Sequence, residues 1–368
     1  MRDNIIILAA GKSTRMKMNM SKCAIPLLGK PMILHLVDTI SRTNIKNKIA
    51  VLGYDAEYIK SLLGTSIKYA YQNQQLGTGH AVHCACGELD CNEALTFIVC
   101  GDMPLLKEDT ISALRDYHLY NKNDITVVSM VVEDPKRYGR MIKDHASNLL
   151  KIVEYKDANE EERKIKEVNT GVYCVNTKIL PILLSQIKSN NAQNEYYLTD
   201  LIALANSNAY KVGVFQSLDP FQFTGIDDLN TLAWVEECIR EDIIKKNREN
   251  GVLMINSNSI VISKDAIIEP GVIIYPNTII MGKTLIKRDC IIGPNCEINN
   301  SEIHEKCQIN NSRILNSTIY SNVNVDSFSV ISKDSIVGSN SKIGKNANIE
   351  CSEIPNDSII NDYEIIKK

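Results

Sequence analysis

From Gly251 onward the chain keeps a six-residue beat, with Ile262, Ile268, Ile274, Ile280, Ile286, Ile292 and Ile298 in strict step. After five-residue slips the beat resumes at Ile303, Ile309, Ile314 and Ile319, then runs through Val325, Ile331, Val337, Ile343 and Ile349. A helix repeats about every 3.6 residues and a sandwich strand about every two, so neither can use this period. Each hexad sets an aliphatic residue before small, polar or turn residues, as in Ile292-Gly293-Pro294-Asn295-Cys296 and Ile343-Gly344-Lys345-Asn346-Ala347. One hexad makes one flat face, and three faces close a coil of a left-handed parallel β-helix filled with Ile and Val. Aromatic residues are only 6% of the chain, as a narrow aliphatic prism requires, while Asn and Ser suit its corners. About fifteen hexads predict roughly five coils.

Before about residue 225 the texture is different. Apolar runs alternate with amphipathic stretches, the pattern of βα units and a mixed, mostly parallel sheet. The run Ile5-Ile6-Ile7-Leu8-Ala9 is apolar throughout, as a strand covered on both faces must be. Further strands are expected over 48–52, 96–100, 125–132, 149–154 and 168–175, and helices over 32–41, 80–88 and 110–120. The charged run Asn159–Lys164 reads as a solvated hairpin tip. Leu229, Leu232, Trp234, Val235, Cys238, Ile239, Ile243 and Ile244 fall at helical spacing. The 368 residues therefore divide into an α/β, Rossmann-like domain over 1–226, a connecting helix over 227–250 and the β-helix over 251–368.

Lys+Arg 41 against Asp+Glu 44 leaves a net charge of -3, which offers no positive field for a nucleic-acid backbone. Only six apolar residues, Ile5 to Ala10, follow the start, too few for a signal peptide or a membrane span. A cytoplasmic protein without membrane or nucleic-acid partners is expected, with its eleven cysteines reduced and unpaired.

The first strand runs into Leu8-Ala9-Ala10-Gly11-Lys12-Ser13-Thr14-Arg15-Met16, where backbone N–H groups and two cations can meet a phosphate. This is no P-loop, since Ile6 stands where that motif needs glycine, and no dinucleotide fingerprint, since Ala9 and Thr14 replace glycines. Asp102 follows the apolar run Phe97–Cys100, at the carboxyl end of a strand where ligands of open α/β sheets bind. His80, His83, Cys84 and Cys86, with Cys91 beyond, suggest zinc, but the second half of a zinc spacing is missing. They read as buried helix residues.

Taken with Lys22, Gly29-Lys30-Pro31-Met32, Gln72–Ala81, Gly101-Asp102-Met103-Pro104-Leu105, Tyr138-Gly139-Arg140, Ile152–Asp157, Asn169-Thr170-Gly171 and Asn190–Asp200, the phosphate loop resembles the bacterial N-acetylglucosamine-1-phosphate uridylyltransferases. The resemblance spans nearly the whole chain. It implies attack of a sugar-1-phosphate oxygen on the α-phosphorus of UTP, with N-acetylglucosamine-1-phosphate as the acceptor, pyrophosphate leaving and Mg2+ required. Arg15 would hold the β- and γ-phosphates and Lys22 the α-phosphate. Asp102 and Asp227 would bind the metal, Asp227 standing where the family usually has asparagine. The backbone at Leu8, Ala9, Ala10, Gly11, Gly77 and Thr78 would line the nucleotide, and Gln72 would pair with uracil through an amide donor and acceptor. Gly139, Glu154, Asn169 and Thr199 would take the sugar. Lys156, Tyr196 and Tyr197 read as supports. Ser13 replaces a common glycine and narrows the loop.

The bifunctional relatives continue the β-helix and carry an acetyl-transfer site around a catalytic histidine. Here Ser332 replaces an expected arginine, and Lys345–Glu350 stands where an Asn-Phe-Val-Glu-aliphatic-Lys segment belongs. His304, the one histidine of the β-helix, lies outside that motif and reads as a surface residue. Acetyl transfer is expected to be absent and the β-helix to serve assembly, as a homotrimer. Another nucleotide and sugar-phosphate pair, or a non-catalytic nucleotide-sugar sensor, are the alternatives.

Overall fold

The apolar run at the start is the strand Asn4–Ala9, whose residues are buried except for half-buried Leu8. Parallel neighbours cover it on both edges, Leu95–Cys100 on one and Asn47–Leu52 on the other. The computed structural model describes residues 3–12, 16–90 and 94–368. Strand order across the sheet is Val212–Gln216, Ile125–Val131, Glu167–Asn176, Leu95–Cys100, Asn4–Ala9, Asn47–Leu52 and Lys68–Tyr71. Only Glu167–Asn176 runs against its neighbours on this path, so the mixed, mostly parallel α/β sheet is present. The strands Arg140–Lys143 and Leu149–Val153 branch from it as an antiparallel pair. Helices at Met32–Arg42, Ala56–Leu63, Thr78–Cys84, Glu108–Tyr120 and Asp200–Ser207 accompany the strands.

The sheet has two apolar cores, one on each face. Ile5, Ile7, Ile33, Leu36, Phe97 and Val99 belong to one, and Ile6, Val51, Ile98, Tyr173, Leu201 and Ile202 to the other. Strand residues alternate between them, as a two-residue pleat demands. This sheet lies within one unit, Met1–Ile25 with Pro31–Leu232; a second comprises Pro26–Lys30 with Ala233–Lys368. The helix Leu229–Glu249 contains the break between them.

In the second unit short parallel strands stack into three sheets of seven, seven and six. That makes nearly seven coils, not the five expected from the beat. Met254 precedes the first counted isoleucine, and a five-residue step from Ile349 to Ile354 hides the continuation at Ile360 and Ile366. One strand of successive coils carries Ile262, Ile280, Ile298, Ile314, Ile331 and Ile349, all at most 1% exposed. Burying each such side chain contributes about 1.5–3 kcal/mol. The corners need left-handed backbone, which explains the asparagines: Asn277, Asn295, Asn300, Asn311, Asn316, Asn322, Asn340 and Asn346 all have positive φ.

Corner hydroxyls satisfy the backbone between coils. Ser312 Oγ donates to the carbonyls of Asn310 and Asp326, both at 2.8 Å, and accepts from Ser329 N at 3.1 Å. Ser329 repeats this with Gly344 O at 2.7 Å and Ala347 N at 3.1 Å. Buried turn groups are thereby paired without water.

Three local expectations are corrected. The run at 159–164 is a helical turn, Glu160–Arg163, closed by a capping box between Asn159 and Glu162. The helix expected over 80–88 is Thr78–Cys84 followed by a 3-10 turn, Cys86–Glu88. On it His83 is exposed and His80, Cys84 and Cys86 are half-buried, while Ala81, Val82 and Ala85 are buried in the core. His304 is half-buried, with Glu302 at 3.1 Å from Nε2 and Lys287 at 3.2 Å from Nδ1.

Candidate active site

The carboxyl ends of the two central strands lie side by side, tied by Gly101 N donating to Leu8 O at 2.9 Å. Asp102 leaves one of them and is itself buried. Ile226 N donates to Asp102 O at 3.2 Å, which brings the Gly225-Ile226-Asp227 turn alongside; a Cβ on Gly225 would lie 3.3 Å from Asp102 Oδ2. Lys22, at the start of the short turn Lys22–Ala24, places its ammonium between the two carboxylates. It donates to Asp102 Oδ2 and, at 3.0 Å, to Asp227 Oδ1.

Burial alone would lower the Lys22 ammonium, but Asp102 and Asp227 outweigh it and hold Lys22 charged, well above the usual lysine range. The same surroundings silence the nearby thiols. Burial, then the charge of Asp102, pushes Cys23 up to about 12 and Cys100 well above the ordinary thiol value. Neither offers a thiolate near neutral pH, so neither is a nucleophile.

On the nucleotide side Ala9 and Ala10 are buried, Leu8 half-buried and Gly11 exposed, with nothing among the described residues within 4 Å of a Cβ built on Gly11. That leaves backbone open to a ligand. Arg15, with Ser13 of the same loop, lies outside the described residues, as does Cys91. Gln72, 4% exposed, follows the strand Lys68–Tyr71 and is pinned by its backbone N to Leu52 O at 2.7 Å. Its Nε2 donates to Gly77 O at 2.9 Å and lies 3.1 Å from His80 Nδ1. Thus its amide donor, expected for base pairing, is spent inside the protein. Gly77 has φ +107 and a Cβ there would meet Tyr196 O at 2.6 Å, so glycine is required. Thr78 Oγ1 accepts from Leu198 N at 3.1 Å, and Gly79 N donates to Tyr196 O at 2.7 Å.

The four sugar candidates converge. Asn169 N donates to Gly139 O at 2.8 Å, and a Cβ on Gly139 would lie 3.7 Å from both Asn169 Cβ and Glu154 Oε1. Thr199 Oγ1 donates to Glu154 Oε1 at 3.1 Å. Asn169-Thr170-Gly171 is a bulge in the antiparallel strand, where register against the neighbour shifts between Asn169 and Tyr173. Gly171 takes φ +82, Asn169 Oδ1 accepts from Gly171 N at 3.0 Å, and Asn169 Nδ2 donates to Tyr173 Oη at 2.9 Å. Bulges re-aim side chains in this way. Burial raises Glu154 above the usual carboxylate range, with Thr199 opposing and Asp157, Asp200 and Glu195 adding to the rise.

The supports are ordinary hydrogen bonds. Lys156 Nζ donates to Gln193 Oε1 at 2.6 Å and Tyr197 Oη to Asp157 Oδ2 at 3.1 Å. Sequence reasoning missed Tyr173, which orients Asn169, and the contacts of His80; an isolated Tyr or His inside a strand or helix carries no signal for either. Among the described residues no group of three or more His, Cys, Asp or Glu side chains could hold a metal. The ten described cysteines are free, in keeping with the expectation, and no helix among the described residues is long and apolar enough to cross a membrane.

Comparison with known proteins agrees with this architecture. Residues 5–165 match the MobA-like NTP transferase domain and residues 274–368 the GMPPB C-terminal domain. The bifunctional protein GlmU of Geobacillus sp. (strain WCH70) is 40% identical over 324 residues, which are 88% of this chain and 71% of that protein. That of Clostridioides difficile (strain 630) is 41% identical over 324 residues, 88% and 70% of the two chains. That of Acholeplasma laidlawii (strain PG-8A) is 40% identical over 329 residues, 89% and 71%.

Proposed function

The chain belongs to the GlmU family of nucleotidyltransferases, and from that premise we propose that it is a uridylyltransferase joining UTP to N-acetylglucosamine-1-phosphate. The observation that carries this reading is the convergence of Asp102 and Asp227 on one ammonium. Two hard oxygen donors facing a common cation suit Mg2+, which takes its remaining ligands from phosphates and water. Lys22 shows that the pocket accepts positive charge. When bound there, Mg2+ would neutralise charge on the triphosphate.

The chain's own residues supply the rest. Lys22 pairs with the α-phosphate and Arg15 with the β- and γ-phosphates, offsetting negative charge as the sugar phosphate oxygen bonds to the α-phosphorus and the bond to the pyrophosphate oxygen breaks. No enzyme nucleophile is needed, in agreement with the neutral thiols at Cys23 and Cys100. The backbone from Leu8 to Gly11, with Gly77 and Thr78, lines the nucleotide, and Gln72 reads the base. Glu154, steadied by Thr199, accepts from sugar hydroxyls; Asn169 and Gly139 complete the sugar cradle, positioning the attacking phosphate.

The reading extends to the second unit. The residue changes at Ser332 and Lys345–Glu350 support a chain without acetyl transfer, and both nitrogens of His304 face close partners. The outer sides of Leu253, Ile273 and Ile291 lie in register on one sheet, with Leu253 exposed and the others half-buried. Such a stripe supports self-assembly, as a trimer. A UTP substrate and unpaired thiols support a cytoplasmic setting.

Pyrophosphate release across a panel of nucleoside triphosphates and sugar-1-phosphates with Mg2+ tests the proposal. UTP with N-acetylglucosamine-1-phosphate should be the preferred pair. Another preferred pair would replace the substrate assignment, and no release from any pair would favour a sensor.

A further inference from the structure

We infer that His80 is a positioning residue that, together with Gly77 O, holds the Gln72 amide in the orientation that reads the nucleobase. This inference rests on the nucleotidyl-transfer reading above and goes beyond it by naming what selects the base.

The argument starts from hydrogen-bond chemistry. Gly77 O can only accept, so the Gln72 atom 2.9 Å away must be the amide nitrogen. That nitrogen carries a second N–H, and His80 Nδ1 lies 3.1 Å from it. Two donors cannot face each other, so Nδ1 is the unprotonated nitrogen and the imidazole proton sits on Nε2. There the neighbour is Cys84 Sγ, at 3.8 Å, a weak acceptor suited to that proton. The tautomer and the amide orientation therefore fix each other.

Both amide hydrogens are then consumed within the protein. Gln72 Oε1 has no hydrogen-bond partner among the described residues. A group that can only accept reads a base that donates at its ring nitrogen: uracil or thymine has an N–H there, whereas cytosine and adenine present a lone pair. A reversed amide would prefer the second class. His80 reinforces the choice that Gly77 O makes, because its Nδ1 lone pair holds the second N–H of the same nitrogen, and the Tyr196 ring, 6.3 Å centroid to centroid, flanks the imidazole.

The test measures kcat and KM for UTP and CTP, with N-acetylglucosamine-1-phosphate and Mg2+, in the wild-type protein and in His80→Phe, His80→Leu and His80→Gln, with thermal midpoints alongside. His80→Phe keeps a ring beside Tyr196 and removes the acceptor. The UTP-over-CTP ratio of kcat/KM should fall by about tenfold or more, chiefly through KM for UTP. His80→Gln, which brings back an acceptor oxygen, should restore most of the ratio. If one apolar variant does not fold, the other carries the measurement. An unchanged ratio in a folded apolar variant, or a loss that His80→Gln does not repair at a normal midpoint, overturns the assignment. A wild-type protein that uses no nucleotide or prefers CTP overturns the uridylyl reading and this inference with it. A UTP-over-CTP ratio that is the same in the wild type and in His80→Phe overturns this inference alone.

Discussion

The Lys22 ammonium bridges Asp102 and Asp227, residues 125 positions apart in the chain, and lies 3.0 Å from Asp227 Oδ1. A cation covalently part of the protein thus occupies the point on which both carboxylates converge. In the proposed reaction substrate and metal would take over those contacts before Lys22 turned to a phosphate, so the three residues should be tested as one unit.

Asp102→Ala removes one of the two converging carboxylates without touching either apolar core. Pyrophosphate release should drop by roughly 10²-fold or more, with the thermal midpoint held within a few degrees. Full activity in this variant would refute the assigned role.

Asp227→Asn installs the residue usual in the family and lowers the charge facing the cation by one unit. Fewer ligand charges bind a divalent cation less tightly. The Mg2+ concentration for half-maximal pyrophosphate release should rise by roughly tenfold, while the rate at saturating Mg2+ changes little. An unchanged Mg2+ requirement would show that Asp227 does not touch the metal.

Glu154 gives a pH dependence with a definite sign. Its carboxyl is raised by burial, so it carries a proton at pH values where an exposed glutamate is already ionised. A protonated Glu154 accepts poorly from sugar hydroxyls. As pH falls, kcat/KM for the sugar phosphate should therefore decline through a limb lying above the ordinary carboxylate range. Glu154→Gln should flatten that limb and raise KM for the sugar phosphate without altering KM for UTP.

Gly77→Ala tests the loop shared by base and sugar segments. The substitution meets backbone, Tyr196 O at 2.6 Å, at φ +107, where a side chain is strained regardless of space. It should cost about 1–3 kcal/mol of stability, read from denaturant unfolding, and weaken nucleotide binding. A stability equal to wild type would show that the loop relaxes freely.

Sedimentation equilibrium at micromolar concentration should give three times the chain mass. Replacing Leu253, Ile273 and Ile291 together by Lys should shift the mass toward the monomer, since it charges the outward stripe and leaves Met254, Ile274 and Ile292 in the interior. A monomeric wild type would remove the assembly role.

The solenoid was legible because one period governed it. The interior isoleucines could be numbered from sequence, and only its ends were missed, where Met254 and the short step to Ile354 break the beat. The turn at Glu160–Arg163 could have been read from Asn159 and Glu162, which form a capping pair three residues apart; the dense charge of that stretch obscured it. The strand Arg140–Lys143 had no apolar run to announce it. In the site, periodicity places Asp102 at a strand end, but nothing periodic relates it to Lys22 or Asp227. Those and the sugar residues were found by resemblance in ordered motifs. The spending of the Gln72 amide donor on Gly77 and His80 was invisible, because it depends on the partners that a side chain meets.

The serine ladder at the corners has a further consequence. Ser312 and Ser329 each complete a carbonyl and an N–H of the following turn, so these coils hand their neighbours the same socket that they receive. A whole turn of the prism could be spliced in or cut out with a single junction to repair, which makes its height a freely adjustable dimension over evolutionary time.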